Sequence, residues 1–124
     1  MNKRNLVKPV CPVDYAFQRI GGKYKGRILW NINEHGMLRY GELSRQISGI
    51  TTKMLTQTLK ELEDDRLIIR TAYPEIPPRV EYCLTAAAEK LIPFINHLRE
   101  WANEQLKEHG PDSIIHPVNR ASTH

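Results

Sequence analysis

Residues 37–84, MLRYGELSRQISGITTKMLTQTLKELEDDRLIIRTAYPEIPPRVEYCL, decide the fold. A short helical pattern over 40–47 leads into the turn Ser48-Gly49-Ile50, and Thr51 can cap the helix that follows. Two β-rich runs, 67–73 and 79–84, then enclose a segment with three prolines. Proline cannot donate to a sheet ladder, so this segment belongs at the tip of a hairpin. A helix, a turn, a second helix and a hairpin together predict a winged helix-turn-helix.

The second helix of this motif has a buried side and a polar side. Leu55, Leu59 and Leu62 recur with the spacing of one buried stripe. The opposite side, which we expect to meet base edges in the major groove of DNA, carries Thr52, Lys53, Thr56 and Gln57. Taken alone, the pattern of this segment is equally consistent with an ordinary amphipathic helix whose polar side is only solvated. The hairpin that follows favours the DNA interpretation.

Contacts to the DNA backbone are expected from residues around this helix and on the hairpin. The first 36 residues carry seven Lys and Arg against Asp14 and Glu34, which suits a phosphate-binding flank. The candidates are Lys23, Lys25, Arg39, Tyr40, Lys60, Arg70 and Arg79. Three alternatives stay open: a merely solvated basic face, a plain turn at Gly21-Gly22-Lys23, and an ion pair of Arg79 with Glu75 or Glu81.

The flanking segments predict further helices over 12–20, 23–35 and 85–107, and a short strand over 37–39. Pro93 predicts a kink or a break near Lys90 in the last helix. Its apolar stripe is wider than one small domain can cover, which favours a homodimer. The candidate interface residues are Val13, Phe17, Phe94, Leu98 and Trp101. The expected fold is α+β and mostly helical, with a basic arm over 1–10, a winged-helix domain with N- and C-terminal dimerisation helices over 11–108, and a disordered tail over 109–124.

The composition argues against a membrane protein, a secreted protein and an enzyme. The chain has 124 residues, a net charge of +4 and two cysteines. No apolar run approaches the roughly 20 residues that span a bilayer, and no secretory signal is visible, so we expect a cytoplasmic protein without membrane contact. No metal-ligand spacing, cofactor motif or catalytic pattern stands out, which argues against an enzyme. Cys11 precedes a helix with Lys8 nearby, two features that favour a reactive thiolate, although a passive small residue is the alternative.

Several motifs together resemble the HxlR-type transcriptional regulators. They are Cys11-Pro12-Val13, residues 20–25 (IGGKYK), 39–43 (RYGEL), 53–56 (KMLT), 59–63 (LKELE) and 73–82 (YPEIPPRVEY). The resemblance implies a homodimeric, MarR-related winged-helix protein that binds double-stranded DNA. In some members the cysteine matching Cys11 senses electrophiles or oxidants. The family often has glycine where Arg66 stands, so we expect a left-handed backbone there.

The expected function is sequence-specific regulation of transcription by a homodimer on a pseudo-palindromic operator. A small electrophile that acts through Cys11 is the candidate effector. The alternative is a winged-helix module that binds proteins and has no role on DNA.

Overall fold

The computed structural model describes residues 6–110, and the fold is a winged helix-turn-helix, as predicted. Its elements in chain order are α1 (Pro12–Ile20), α2 (Lys25–His35), β1 (Leu38–Arg39), α3 (Tyr40–Gln46), α4 (Thr52–Asp64), β2 (Ile68–Tyr73), β3 (Arg79–Leu84), α5 (Ala86–Glu89) and α6 (Ile92–His109). The chain divides after Ile92 into two compact units, which we describe separately.

The sheet is antiparallel, with the strand order β1-β3-β2. Leu38 of β1 pairs with Tyr82 of β3, and the β2–β3 hairpin runs from the Ile68–Leu84 pair to the Tyr73–Arg79 pair. Residues 74–78 therefore form the tip of the wing, where their prolines remove no ladder hydrogen bond.

The core of the first unit comes from the predicted apolar stripes. The side chains that are almost fully buried are Ile28, Leu29, Ile32, Leu43, Ile47, Leu55 and Leu62. Thr58 is buried among the leucines of α4, and its hydroxyl donates to the Met54 carbonyl oxygen over 2.7 Å. This local bond satisfies the donor of the buried hydroxyl.

Helix α2 begins at Lys25, two residues later than predicted. Gly22 has φ +93°, which breaks helical geometry before Tyr24. The first bond of the new helix runs from the Ile28 N–H to the Tyr24 carbonyl over 2.9 Å. Four other predicted bounds were one residue too long, because Met37, Ile47, Leu67 and Thr85 lie outside β1, α3, β2 and α5. The last helix, in contrast, continues to His109, two residues past its predicted end.

The predicted break near Lys90 is present, since α5 ends at Glu89 and α6 begins at Ile92. Pro93 explains it, because its ring lacks an N–H and would clash with the carbonyl four residues earlier in a continuous helix. Thr85 caps α5 through its hydroxyl, which accepts from the Ala88 N–H over 3.1 Å. The same hydroxyl donates to the Arg66 carbonyl over 2.8 Å. Arg66 has φ +58°, the left-handed conformation that was expected.

Helix α1 is joined to the end of α4 by an ion pair between Arg19 and Asp65, with 3.5 Å between the closest atoms. The Arg19 guanidinium also lies over the Tyr15 ring, 4.2 Å from its centroid. No helix in residues 6–110 is long and apolar enough to cross a membrane. Residues 1–5 of the predicted arm and 111–124 of the predicted tail lie outside the described residues.

Candidate DNA interface

The start of α4 is fixed by contacts from three sides. The Thr51 hydroxyl accepts from the Met54 N–H over 3.1 Å and caps the helix. The Tyr40 hydroxyl of α3 lies 2.9 Å from the Thr56 hydroxyl and donates to the Thr52 carbonyl over 3.3 Å. Arg27 of α2 donates to the Ser48 carbonyl in the turn over 3.1 Å. The first turns of α4 are therefore held by Thr51 and Tyr40, and Arg27 ties the preceding turn to α2.

The four predicted base-reading residues lie together on the exposed side of α4. Thr52, Lys53, Thr56 and Gln57 are all exposed, while Leu55 between them is buried. The Thr56 hydroxyl is engaged by Tyr40, and the Gln57 amide donates to Glu61 over 2.8 Å. Lys53 has the longest reach of the four. The structure thus brings these residues to one surface, as a base-reading helix requires.

The backbone candidates fall into two groups. Lys23 and Arg39 are exposed, and the Lys23 ammonium lies 5.5 Å from the centroid of the Tyr24 ring. Lys25 instead forms an ion pair with Glu61 over 3.0 Å, and little of its side chain is exposed. Its partner lies 36 positions away, so the sequence does not indicate this pair.

An open cavity of about 630 Å³ separates α4 from the wing. It is lined on the helix side by Thr56 and Lys60, and on the wing side by Arg70 and Tyr82. Tyr40 also lines it. Glu63, Asp64 and Arg66 lie at the end of α4 on the same cavity. Lys60 and Arg70, two of the candidate backbone contacts, therefore line the same cavity.

Tyr82 of β3 is buried. Burial raises the pKa of the Tyr82 phenol above its ordinary value, and a hydrogen bond from Arg70 together with its charge partly opposes that rise. Arg70 and Tyr82 are directly opposite on β2 and β3. The Arg70 side chain is therefore anchored to the sheet at its contact with Tyr82.

Arg79 is held at the base of the wing tip. Its guanidinium lies 2.8 Å from Glu75 and 3.4 Å from Glu81, and it stacks 4.0 Å from the centroid of the Tyr73 ring. The ion-pair alternative named from the sequence is present with both acids. A phosphate contact by Arg79 stays a prediction and would require it to leave at least one carboxylate.

Cys11 is exposed and occupies the N-cap of α1. Its sulfur accepts from the Asp14 N–H over 3.4 Å, and the Asp14 carboxylate accepts from the Val10 N–H over 3.0 Å. Pro9, Val10, Pro12 and Tyr15 line an open, mainly apolar depression around the thiol. Cys83 on β3 is half-buried, and both thiols are free.

The candidate dimer residues are exposed apolar side chains on two helices. Val13 and Phe17 of α1 are 64% and 52% exposed, and Trp101 of α6 is 59% exposed. Phe94 and Leu98 share one side of α6 with Trp101, at the spacing i, i+4, i+7. Described residues 6–110 contain no group of three or more His, Cys, Asp and Glu side chains arranged to hold a metal ion.

Glu61 was not among the candidate site residues. Its carboxylate contacts Gln57, a candidate for base reading, and Lys25, a candidate for contact with the DNA backbone. The i, i+4 spacing of Gln57 and Glu61 was the available signal, because such pairs face each other on a helix.

Comparisons with known proteins agree with this geometry. A profile described as HxlR-like helix-turn-helix matches residues 19–110. An uncharacterised HTH-type transcriptional regulator of Methanothermobacter thermautotrophicus is 49% identical over 92 residues, which cover 74% of this chain and 70% of that protein. The redox regulator HypR in its oxidised form is 38% identical, with a TM-score of 0.72 over 76% of this chain and 96% of that chain.

The transcriptional regulator YodB from B. subtilis, in its reduced form, is 32% identical, with a TM-score of 0.65 over 77% of this chain and 93% of that chain. All three relatives are named as regulators, two of them as transcriptional regulators. The matched residues contain α2, α3, α4 and the wing, the elements that build the candidate interface. The chain belongs to the HxlR-like helix-turn-helix family of transcriptional regulators.

Proposed function

We propose that this regulator binds a pseudo-palindromic operator as a homodimer, with α4 reading bases in the major groove. The observation that carries the proposal is the exposed cluster of Thr52, Lys53, Thr56 and Gln57 on a helix start that Tyr40 and Thr51 hold in place. A rigid helix can present its side chains to base edges without first being ordered. Lys23, Arg39, Lys60 and Arg70 surround that surface as candidate phosphate contacts.

Binding to duplex DNA tests this proposal against the protein-interaction alternative. Duplexes selected from a random pool give the operator, and their affinity is then measured against salt. Gln57→Ala should weaken binding to the operator by about 1–3 kcal/mol and relax the preference at one base pair of each half-site. Lys23→Ala should weaken binding to all duplexes alike and reduce the salt slope by about 1. A protein that binds no duplex at any salt concentration would support the alternative.

The assembly follows from the same proposal. A two-fold axis would place two copies of α4 in successive major grooves, about 34–36 Å apart. The exposed apolar residues of α1 and α6 are the candidates for the surface between the subunits. Duplexes in which the two half-sites are separated by two to five extra base pairs should lose affinity, since the second helix would then face the wrong side of the DNA.

Cys11 is our candidate for control by electrophiles or oxidants. It is exposed at a helix N-terminus, and the similar protein HypR is named a redox regulator. Diamide or a quinone should lower the operator affinity of the wild type and leave that of Cys11→Ser unchanged. Cys83→Ser, which removes the half-buried thiol, is the matched control and should respond like the wild type. Equal losses in wild type and Cys11→Ser would exclude Cys11 as the sensor.

A further inference from the structure

One carboxylate joins two parts of the candidate interface. Glu61 Oε2 accepts from the Gln57 amide over 2.8 Å, and Glu61 Oε1 lies 3.0 Å from the Lys25 ammonium. Only 21% of the Glu61 side chain and 11% of the Lys25 side chain are exposed, so water screens this pair less than an open surface pair. Lys25 also offsets the negative charge that Glu61 would otherwise bring close to DNA phosphates.

The contact fixes which way the Gln57 amide points. A glutamine amide has two N–H donors on one side and an acceptor oxygen on the other. A carboxylate accepts hydrogen bonds and repels another acceptor, so the nitrogen must face Glu61. One N–H and the oxygen Oε1 then remain for a partner outside the protein. The ion pair with Lys25 holds the carboxylate from its other side, which keeps the amide in this orientation.

The remaining donor and acceptor match one base edge better than another. Adenine offers an acceptor at N7 and a donor at N6 in the major groove, whereas guanine offers acceptors at both N7 and O6. Gln57 with one N–H committed to Glu61 can satisfy adenine with its free N–H and Oε1. It cannot give two N–H groups to guanine without releasing Glu61.

We infer that Glu61 is a positioning residue that sets the base preference of Gln57 in favour of adenine over guanine. The inference rests on the proposed function, because it requires Gln57 to read a base. Glu61 contributes no contact to the DNA itself. It acts by orienting the amide, and Lys25 acts one step further back by holding the carboxylate.

The test measures discrimination between A·T and G·C at the base pair where Gln57→Ala relaxes the preference. Glu61→Ala should reduce that discrimination about fivefold or more, at the same base pair and at no other. Glu61→Gln has a single acceptor oxygen, which Lys25 would engage, so its amide nitrogen would face Gln57 and the discrimination should also fall. Lys25→Met leaves the Gln57–Glu61 bond in place and should give an intermediate loss. Glu63→Ala removes an exposed acid of the same helix and should leave discrimination unchanged.

A purely structural role gives a different result. If Glu61 only ties α2 to α4, Glu61→Ala will lower the melting temperature and weaken all duplexes alike, and the inference is then wrong. The inference is also wrong if Gln57→Ala loses the discrimination between A·T and G·C while Glu61→Ala keeps it. If Gln57→Ala itself changes no base preference, base reading by Gln57 fails first, and with it this inference. Thermal unfolding of every variant separates a loss of folding from a loss of discrimination.

Discussion

Two glycines five positions apart have different surroundings. A Cβ at Gly21 would lie 2.3 Å from the Phe17 carbonyl oxygen, whereas a Cβ at Gly26 would meet no atom within 4 Å. Gly21→Ala should therefore lower the free energy of unfolding by about 1–3 kcal/mol, because the backbone at the end of α1 must move. Gly26→Ala lies inside α2 and should raise it by about 0.5–1 kcal/mol. Urea unfolding compares the two, and equal effects would contradict the assigned contact.

Tyr82 makes stability depend on alkaline pH. Burial raises its pKa above 10.0, so the folded protein holds the phenolic proton more tightly than the unfolded chain does. The contribution of this group is fully present below about pH 10 and is lost as pH rises through the folded pKa. Tyr82→Phe should therefore lose less stability than the wild type between pH 9 and 11. Tyr15→Phe, at an exposed ring, is the control and should behave like the wild type.

At the scale of elements, we expect the local stability of the wing tip to depend on Arg79. Its guanidinium joins Glu75, Glu81 and the Tyr73 ring. Arg79→Ala should therefore speed hydrogen exchange of amides in 73–79 more than in β1. Arg79→Lys keeps the positive charge but loses the planar guanidinium, so the exchange rate of its wing should lie between those of the wild type and Arg79→Ala. Exchange measured by mass spectrometry checks this order, and an unchanged wing in Arg79→Ala would contradict it.

The same contacts bear on DNA binding. Glu75→Gln with Glu81→Gln would leave the guanidinium available to phosphate. That double variant should bind all duplexes more tightly and with a steeper salt slope if Arg79 lies near the backbone. The same gain in a variant that also carries Arg79→Ala would instead reflect only the loss of two negative charges.

The elements differ in how far the sequence determines them. The buried leucines of α4 repeat with helical spacing, and the prolines of 74–78 exclude pairing, so the helix, its exposed side and the hairpin could be predicted. Pro93 likewise located the break between α5 and α6. The start of α2 was misplaced because the positive φ of Gly22 is a property of the folded loop. Lys25–Glu61 and Arg19–Asp65 could not be predicted, since each pair joins residues brought together only by packing.

At the scale of the whole molecule, α6 should decide the assembly. Phe94, Leu98 and Trp101 form an exposed apolar stripe on it. Trp101→Glu places a charge in that stripe, which should shift the protein to monomer at low micromolar concentration because burying an unpaired charge is costly. Operator affinity should fall by about 10²–10⁴, since two half-sites are no longer held together. Sedimentation measures the shift, with Glu100→Gln as the control at an exposed polar position of the same helix. A dimeric Trp101→Glu would exclude this stripe as the interface.

Helix α1 connects the exposed thiol of Cys11 to the end of α4. Its nine residues form a rod about 13 Å long, with Cys11 at one end and Arg19 near the other. Arg19 forms an ion pair with Asp65, the residue that caps the end of α4. A tilt of about 5° over that length displaces the far end by about 1 Å, comparable to the helix shifts that switch other proteins. Modification of the exposed Cys11 sulfur that tilts α1 would therefore displace the end of α4, the helix proposed to read DNA.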